Sequence, residues 1–499
     1  MSAIHYVAVD LGGESGRVIL ATLDGGKLSI EEIHRFPNGV VPKGDHLFWD
    51  LAKLEGEIHK GLAKVAALNK PIAGISTDSW GVDYVLVDEN NNALEQPYAY
   101  RDARTNDSPD RLFKKLTFGE IYARTGIQFM AINTVFQFEA HHHDEPASLK
   151  KADHFLLIGD YFNASFSGVA TAEQSLASTT QIYDPQNRDW SDTIIEALRM
   201  PKSKFPRIVP SGTVLGPMVA PAEVAVTPPF VNTNVIASCS HDTGAAIAAV
   251  PAKSDKPWAY LSSGTWSLLG AELESPVLTA AARDAGFTNE VGLGGTIRFL
   301  KNIAGLWVLQ ECRRAWESAG KSYNYTELTQ MAIDNGPAAS HLSLDDPRFF
   351  STGNMPEKIA AFCRESKQPV AESPGQVVRT ILESLALTYA RMLGQLATLT
   401  GAKYETLHIV GGGSRNELLN ELTARATGVN VVAGPVEATA AGNILIQALA
   451  LGQLGSATEL RQVVERSFPT KTVKPGTPFS QAVLTRFKSL RPLTPAANH

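Results

Sequence analysis

Two short runs rich in β-branched residues stop at glycines, one near each end of the chain, and few folds accommodate both. The first is Val7-Ala8-Val9-Asp10-Leu11-Gly12-Gly13-Glu14-Ser15-Gly16-Arg17, and the second is Leu407-His408-Ile409-Val410-Gly411-Gly412-Gly413-Ser414-Arg415-Asn416. In each, a buried strand is expected to end where glycines let backbone amides approach phosphate oxygens with no Cβ in the way. One such loop says little. A pair, with an aspartate-bearing segment between them, predicts a two-domain enzyme that closes on a nucleotide. The length agrees, since 499 residues exceed what one hydrophobic core usually organises.

Phosphoryl transfer needs a held polyphosphate with its metal, an acceptor hydroxyl, and a group that takes the hydroxyl proton. Asp10, at the end of the first strand, suits Mg²⁺, directly or through water. Gly12, Gly13, Ser15 and Gly16 offer amides and a hydroxyl to phosphate, and Arg17 offers positive charge. The plainer alternative is that Asp10 ends a strand and Arg17 pairs on the surface. Further along, Ser238-Cys239-Ser240-His241-Asp242-Thr243-Gly244 follows the apolar run 234–237 and predicts a strand-to-helix turn with Asp242 facing a cleft. A carboxylate there can accept a proton from a sugar hydroxyl. It can equally cap the helix expected over 243–250, and local sequence favours the cap. His241 can fix a substrate hydroxyl or serve structure alone.

Other signals fail on inspection. Gly320-Lys321-Ser322 ends like a P-loop, but Ala315 stands where its upstream glycine belongs. Neither glycine loop has dinucleotide spacing, which counts against a dehydrogenase. His141-His142-His143-Asp144-Glu145 looks metal-rich, yet consecutive histidines do not share a helix face, so a solvated loop is expected. The net charge of -6 gives no pull toward nucleic acid or anionic membrane. No 18-residue apolar stretch occurs, a strand almost at the N-terminus leaves no room for a signal peptide, and three cysteines suit reduced thiols. A cytoplasmic protein is expected.

Strands are predicted over 6–11, 17–23 and 28–36, a helix over 51–68 and a strand over 71–77. The second half repeats this outline, with a strand-turn-strand over 258–270 around Ser262-Ser263-Gly264-Thr265. Long helices are expected over 299–315 and 377–398. Strand, helix, strand, helix then follow over 407–410, 416–427, 429–432 and 438–450. The stretch 201–229 reads as a proline-rich surface excursion, and residues 490–499 are expected to fray. The boundary is placed near 245–257, where Pro251-Ala252-Lys253-Ser254-Asp255-Lys256-Pro257 interrupts the pattern.

These segments occur in an order that identifies a family. The Asp10-Leu11-Gly12 loop, Thr77-Asp78-Ser79-Trp80-Gly81-Val82-Asp83, Ser240-His241-Asp242-Thr243, Ser262-Ser263-Gly264-Thr265-Trp266, Val410-Gly411-Gly412-Gly413 and Gly434-Pro435-Val436-Glu437-Ala438-Thr439 together resemble the FGGY family of carbohydrate kinases. Tyr100-Arg101-Asp102-Ala103-Arg104-Thr105-Asn106, Thr125-Gly126-Ile127-Gln128-Phe129 and Lys301-Asn302-Ile303-Ala304-Gly305-Leu306-Trp307 are similar to phrases of the branch of that family acting on L-rhamnulose.

The resemblance implies an α/β fold of two actin-like (ribonuclease H-like) domains with a cleft between them. Residues 1–245 would form the sugar-binding domain and 246–499 the nucleotide-binding domain, with the final helix returning to the first. It implies ATP-dependent phosphorylation of L-rhamnulose at its 1-hydroxyl, with ATP and Mg²⁺ and without nucleic-acid or membrane partners, in a monomer or small homo-oligomer. Residues 13–17 (Gly13, Glu14, Ser15, Gly16, Arg17) would meet ATP phosphates, and Asp10 the metal. Gly81, His241, Asp242, Thr243 and Asn302 would line the sugar, with Asp242 as proton acceptor. Thr265, Gln310 and Gly412 would contact the nucleotide. Asn302 and Gln310, eight apart, are expected on or beside one helix. Glu14 is a departure, because an acidic side chain beside phosphate repels it, so either it points outward or the nucleotide loop is less regular than its glycines suggest. Other ketose or polyol kinases (L-fuculose, D-xylulose, autoinducer-2) and a non-catalytic ATP or sugar sensor are the competing readings.

Overall fold

The structure is a computed structural model that describes residues 3–253 and 256–491. The chain divides into two compact units that do not follow sequence order simply. Unit 1 comprises Met1–Pro251, Glu272–Phe299 and Ala438–Phe468, and unit 2 comprises Ala252–Ala271, Leu300–Glu437 and Pro469–His499. The helices Ala438–Ala450 and Ala457–Ser467 therefore group with the first unit, and the last helix, Gln481–Ser489, with the second. Most of the segment expected to fray, 492–499, lies outside the described residues.

Unit 1 is built on a six-stranded sheet with strands in the order 213–217, 234–237, 72–79, 4–11, 15–24 and 27–37. Ile4–Leu11, Ser15–Asp24 and Lys27–Pro37 form the expected antiparallel meander. Ile72–Ser79 runs parallel to Ile4–Leu11, and Asn234–Ala237 runs parallel to Ile72–Ser79. The proline-rich stretch is less of an excursion than its composition suggests, because Thr213–Pro217 pairs antiparallel with Asn234–Ala237 as the edge strand. Prolines are tolerated there because an edge strand has a free side.

Helix Leu51–Ala67 buries Leu51, Leu54, Ile58, Leu62 and Val65, a helical stripe, against the sheet. Its start is fixed by Asp50, whose carboxylate accepts from the amide of Lys53. A Cβ on Gly61 would stand 2.4 Å from a Val18 methyl, so the helix sits on the strand at a distance only glycine permits. In the same way Gly442 presses helix Ala438–Ala450 against Ala245 of helix Asp242–Ala248.

In unit 2, Ser267–Leu273 pairs antiparallel with Ala259–Ser263, which runs parallel to Thr406–Val410. Asn430–Ala433 and Lys471–Val473 continue that order. Pro374–Thr400 is the principal helix, opened by a capping box between Ser373 and Gln376 and closed at Gly401, whose φ is 68°. One predicted helix does not form as expected. Residues 299–315 divide into the strand Ile297–Ile303 and the helix Trp307–Ser318. Gly305, at φ 56°, makes the break, and a Cβ there would lie 2.5 Å from the carbonyl oxygen of Thr265. Asn302 is therefore a strand residue and Gln310 a helical one, not neighbours on one helix.

Candidate functional site

In unit 1 the sheet order brings the C-terminal ends of three adjacent parallel strands together, the usual place for chemistry in an α/β sheet. Asp10 lies directly across from Asp78, Leu11 from Ser79, and Ser79 bridges to His241. One edge thus collects Asp10, Asp78, His241 and Asp242.

The first glycine turn is closed by the amide of Gly12 donating to the carbonyl of Ser15 at 2.9 Å. Glu14 is exposed, as its charge requires. Arg17, opposite Asp10 in the hairpin, donates from Nε to Asp10 Oδ2 at 3.1 Å and pairs with it again through Nη2. Asp78 was not singled out in the sequence. It is fully buried, and its Oδ2 accepts from Asn443 Nδ2 at 2.6 Å while Oδ1 has no partner. Burial, and then repulsion from Asp10, push its pKa well above the ordinary carboxylate range. Two adjacent carboxylates, one with an orphaned buried oxygen, form an all-oxygen donor set that fits a hard divalent cation.

Asp242 does not cap its helix. His241 occupies the N-cap, and Asp242 is the first helical residue, its Oδ1 accepting from the amide of Thr243 at 2.6 Å. The carboxylate is 30% exposed. Burial raises its pKa, His241 opposes that rise, and Asp10 adds to it. A carboxylate tuned upward is a better proton acceptor near neutral pH.

Behind Asp242, the fully buried Arg298 donates from Nη1 to Thr243 Oγ1 at 3.0 Å and lies with Nη2 3.1 Å from His241 Nδ1. The His241 ring is flanked by acids as well, with Nδ1 3.3 Å from Glu290 Oε2 and Nε2 3.4 Å from Asp242 Oδ1. Arg298 is neutralised by Glu290 at 3.1 Å. Burial alone would raise the Glu290 pKa, but Arg298 and His241 hold it below its ordinary value. Neither Arg298 nor Glu290 stood out in the sequence. The only local signal was a glutamate and an arginine within two short strands, Thr288–Val291 and Ile297–Ile303.

Gly81 sits in a constrained loop. A Cβ there would lie 2.9 Å from Thr179 Oγ1, and the next residue, Val82, is held at φ 69°, costly for a β-branched side chain. Asp83 anchors this loop. Its Oδ2 accepts from the indoles of Trp49 at 2.6 Å and Trp80 at 3.0 Å and from the amide of Tyr100 at 3.2 Å. Its Oδ1 accepts from Gln137 at 2.8 Å. Even so, complete burial pushes its pKa up to about 6.

Unit 2 carries a second set. Ala259–Ser263 and Thr406–Val410 are parallel neighbours, so the turn 264–266 and the loop 411–415 emerge at the same end. Gln310 Nε2 donates to Thr265 Oγ1 at 3.3 Å, while its buried Oε1 is unpartnered. Gly413 is packed against Ser263, whose Oγ would be 2.0 Å from an added Cβ, whereas Gly412 is exposed with nothing within 4 Å. Asn302 is half-buried on its strand.

The histidine run is helical, not a solvated loop. Helix Thr134–Asp144 turns His141 inward and leaves His143 exposed, so one residue of the run enters the core even though the three do not share a face. The three cysteines, Cys239, Cys312 and Cys363, are free and buried. Among the described residues no helix is long and apolar enough to cross a membrane.

The model for the N-terminal domain of the FGGY family of carbohydrate kinases matches residues 5–249, and that for its C-terminal domain matches 259–451. A rhamnulokinase from Bacteroides thetaiotaomicron is 42% identical over 471 residues, spanning 94% of this chain and 96% of that protein. One from Enterococcus faecalis is 41% identical over 489 residues, 97% of each. Among solved structures, a ligand-bound xylulose kinase from Lactobacillus acidophilus aligns with a TM-score of 0.76 at 14% identity, covering 97% of this chain and 96% of its own. Glycerol kinase from Plasmodium falciparum with ADP aligns at 0.75 and 12% identity, with the same coverage. Identities this low speak for the fold alone, which is that of a two-domain carbohydrate kinase. The curated relatives speak for descent along nearly the whole chain, and with both domain models matched in order the chain belongs to the FGGY family of carbohydrate kinases.

Proposed function

We propose that this enzyme transfers the γ-phosphoryl group of ATP to the 1-hydroxyl of L-rhamnulose. The observation that carries the chemistry is Asp242, a partly exposed carboxylate with a raised pKa whose neighbour His241 is oriented by the buried Arg298. The sugar assignment rests on the full-length relatives named rhamnulokinase. Asp242 accepts the hydroxyl proton as the sugar oxygen bonds to phosphorus and the bond to the ADP oxygen breaks, its electron pair leaving with ADP. Gly81, His241, Thr243 and Asn302 hold the sugar hydroxyls. Residues 13–17, Thr265, Gln310 and Gly412 hold the nucleotide, with Glu14 contributing its backbone.

Asp10, with Asp78 beside it, is assigned to Mg²⁺, which when bound supplies charge neutralisation to the polyphosphate. Arg17, kept next to Asp10 by its ion pair, is assigned to the ATP phosphates. The enzyme is assigned to the cytoplasm. ADP release across free ketoses and polyols tests the reading: L-rhamnulose should give a higher kcat/KM than L-fuculose, D-xylulose or glycerol. A preference of about tenfold or more for glycerol or xylulose would refute the sugar, since one extra or missing group in a pocket discriminates by roughly 10–200-fold. Activity should vanish in chelator and return with Mg²⁺ better than with Zn²⁺, because the donors are all oxygen.

A further inference from the structure

We propose that Glu95, His141 and Glu145, all in unit 1, form a divalent cation site of the zinc type, apart from the residues assigned to phosphoryl transfer. His141 belongs to helix Thr134–Asp144, and its side chain is 2% exposed. Its Nδ1 lies 3.0 Å from the hydroxyl of Tyr84. When Nδ1–H donates to that hydroxyl, the tautomer is fixed and the Nε2 lone pair is left facing outward, the arrangement by which a second neighbour orients a ligating imidazole.

That lone pair faces two carboxylates. Nε2 stands 3.3 Å from Glu95 Oε1 and 3.7 Å from Glu145 Oε2, and it makes no hydrogen bond of acceptable geometry. One nitrogen facing two anionic oxygens calls for a positive charge among the three atoms, which a proton on Nε2 or a bound cation supplies, and the chelation and zinc-retention test separates the two. A tetrahedral centre with bonds of about 2.0–2.1 Å sets its ligand atoms roughly 3.3 Å apart. The two distances from Nε2, 3.3 and 3.7 Å, are near that spacing, and all three ligand atoms lie within 4.8 Å of one another.

The ligands are held from behind. Ser148 Oγ donates to the second oxygen of Glu95 at 2.9 Å, and Glu145 follows His141 by one helical turn. The two carboxylates are 30% and 44% exposed, which leaves an approach for the ion and a position for water. Arg104, over the Tyr98 ring at 3.7 Å, offsets one of the two negative charges without joining the set. One imidazole nitrogen with two carboxylate oxygens selects zinc-like ions over magnesium. The position gives the ion a structural task. One turn earlier on the same helix, Gln137 bonds Asp83 and the carbonyl of Val82, so an ion at His141 tethers the helix that supports the Gly81 loop.

The test uses the full chain, stripped with chelator and dialysed against Zn²⁺ with excess Mg²⁺ present to occupy oxygen-only sites. About one zinc per chain should remain bound, and Co²⁺ in its place should show the intense visible absorption of a tetrahedral centre. Glu145→Gln and His141→Gln should weaken binding by roughly tenfold or more, the range expected for loss of a ligand or its support. His143→Gln, on the exposed face, should not. If His141→Gln fails to fold, Glu145→Gln alone decides, because its carboxylate is near the surface. Absence of zinc from the wild type, retention of zinc by Glu145→Gln, or loss of it in His143→Gln would each overturn the proposal.

Discussion

Replacing Asp242 with asparagine separates catalysis from folding. The asparagine oxygen can keep the 2.6 Å bond from the Thr243 amide, so the local geometry survives. What is lost is a negative charge in the first turn of a helix, which contributes about 0.3–1 kcal/mol. What is relieved is the burial and the Asp10 repulsion that raise the carboxylate's pKa, and these act in the opposite direction. The two nearly cancel, leaving a stability change within about 1 kcal/mol and a Tm change of roughly 2–4 °C for a unit of this size. The proton acceptor, by contrast, is gone. Its loss should lower kcat by roughly 10²–10⁴, or about 2.7–5.5 kcal/mol in the barrier. Because the nucleotide is assigned to other residues, KM for ATP should stay near the wild-type value. ADP release with L-rhamnulose and a melting curve, both on the same preparation, give the two numbers. A folded variant keeping more than about a tenth of wild-type kcat would remove Asp242 from the role of base.

Four further outcomes are expected. Gly413→Ala should be destabilised by roughly 1–3 kcal/mol in denaturant titration, since its Cβ would overlap the Ser263 side chain. Gly412→Ala, into open space, should fold normally and raise KM for ATP, and an unchanged KM would take Gly412 off the nucleotide. Asp83 should make the wild type more stable, relative to Asp83→Asn, as pH falls. Its folded pKa of about 6 exceeds the ordinary 3.8, so the native state binds the extra proton between those values. The wild-type advantage should grow by as much as roughly 3 kcal/mol between pH 7 and pH 4, and a pH-independent difference would refute it. Titration of unfolded, unreduced protein should find three thiols, matching the three free cysteines, and a count of one would reveal a disulfide.

The opening meander, the helix at 51–67, both glycine loops and the alternation over 406–450 were legible because periodicity and glycine placement are local. The break at Gly305 was not read, although the glycine was visible, because 297–303 carries apolar residues compatible with either period. Only the packing of Gly305 against the Thr265 backbone decides for a strand. The same limit hid Asp78, whose partner Asn443 is 365 positions away, and Arg298, 57 positions from His241. It also misdirected the histidine run, since which of three adjacent side chains enters the core depends on the surface the helix meets. The residues determined where strands stop and where backbone can approach a ligand. The tertiary structure decided which carboxylates are crowded, which imidazole nitrogen is left bare and which charge is neutralised, because those depend on neighbours that no local window of sequence contains.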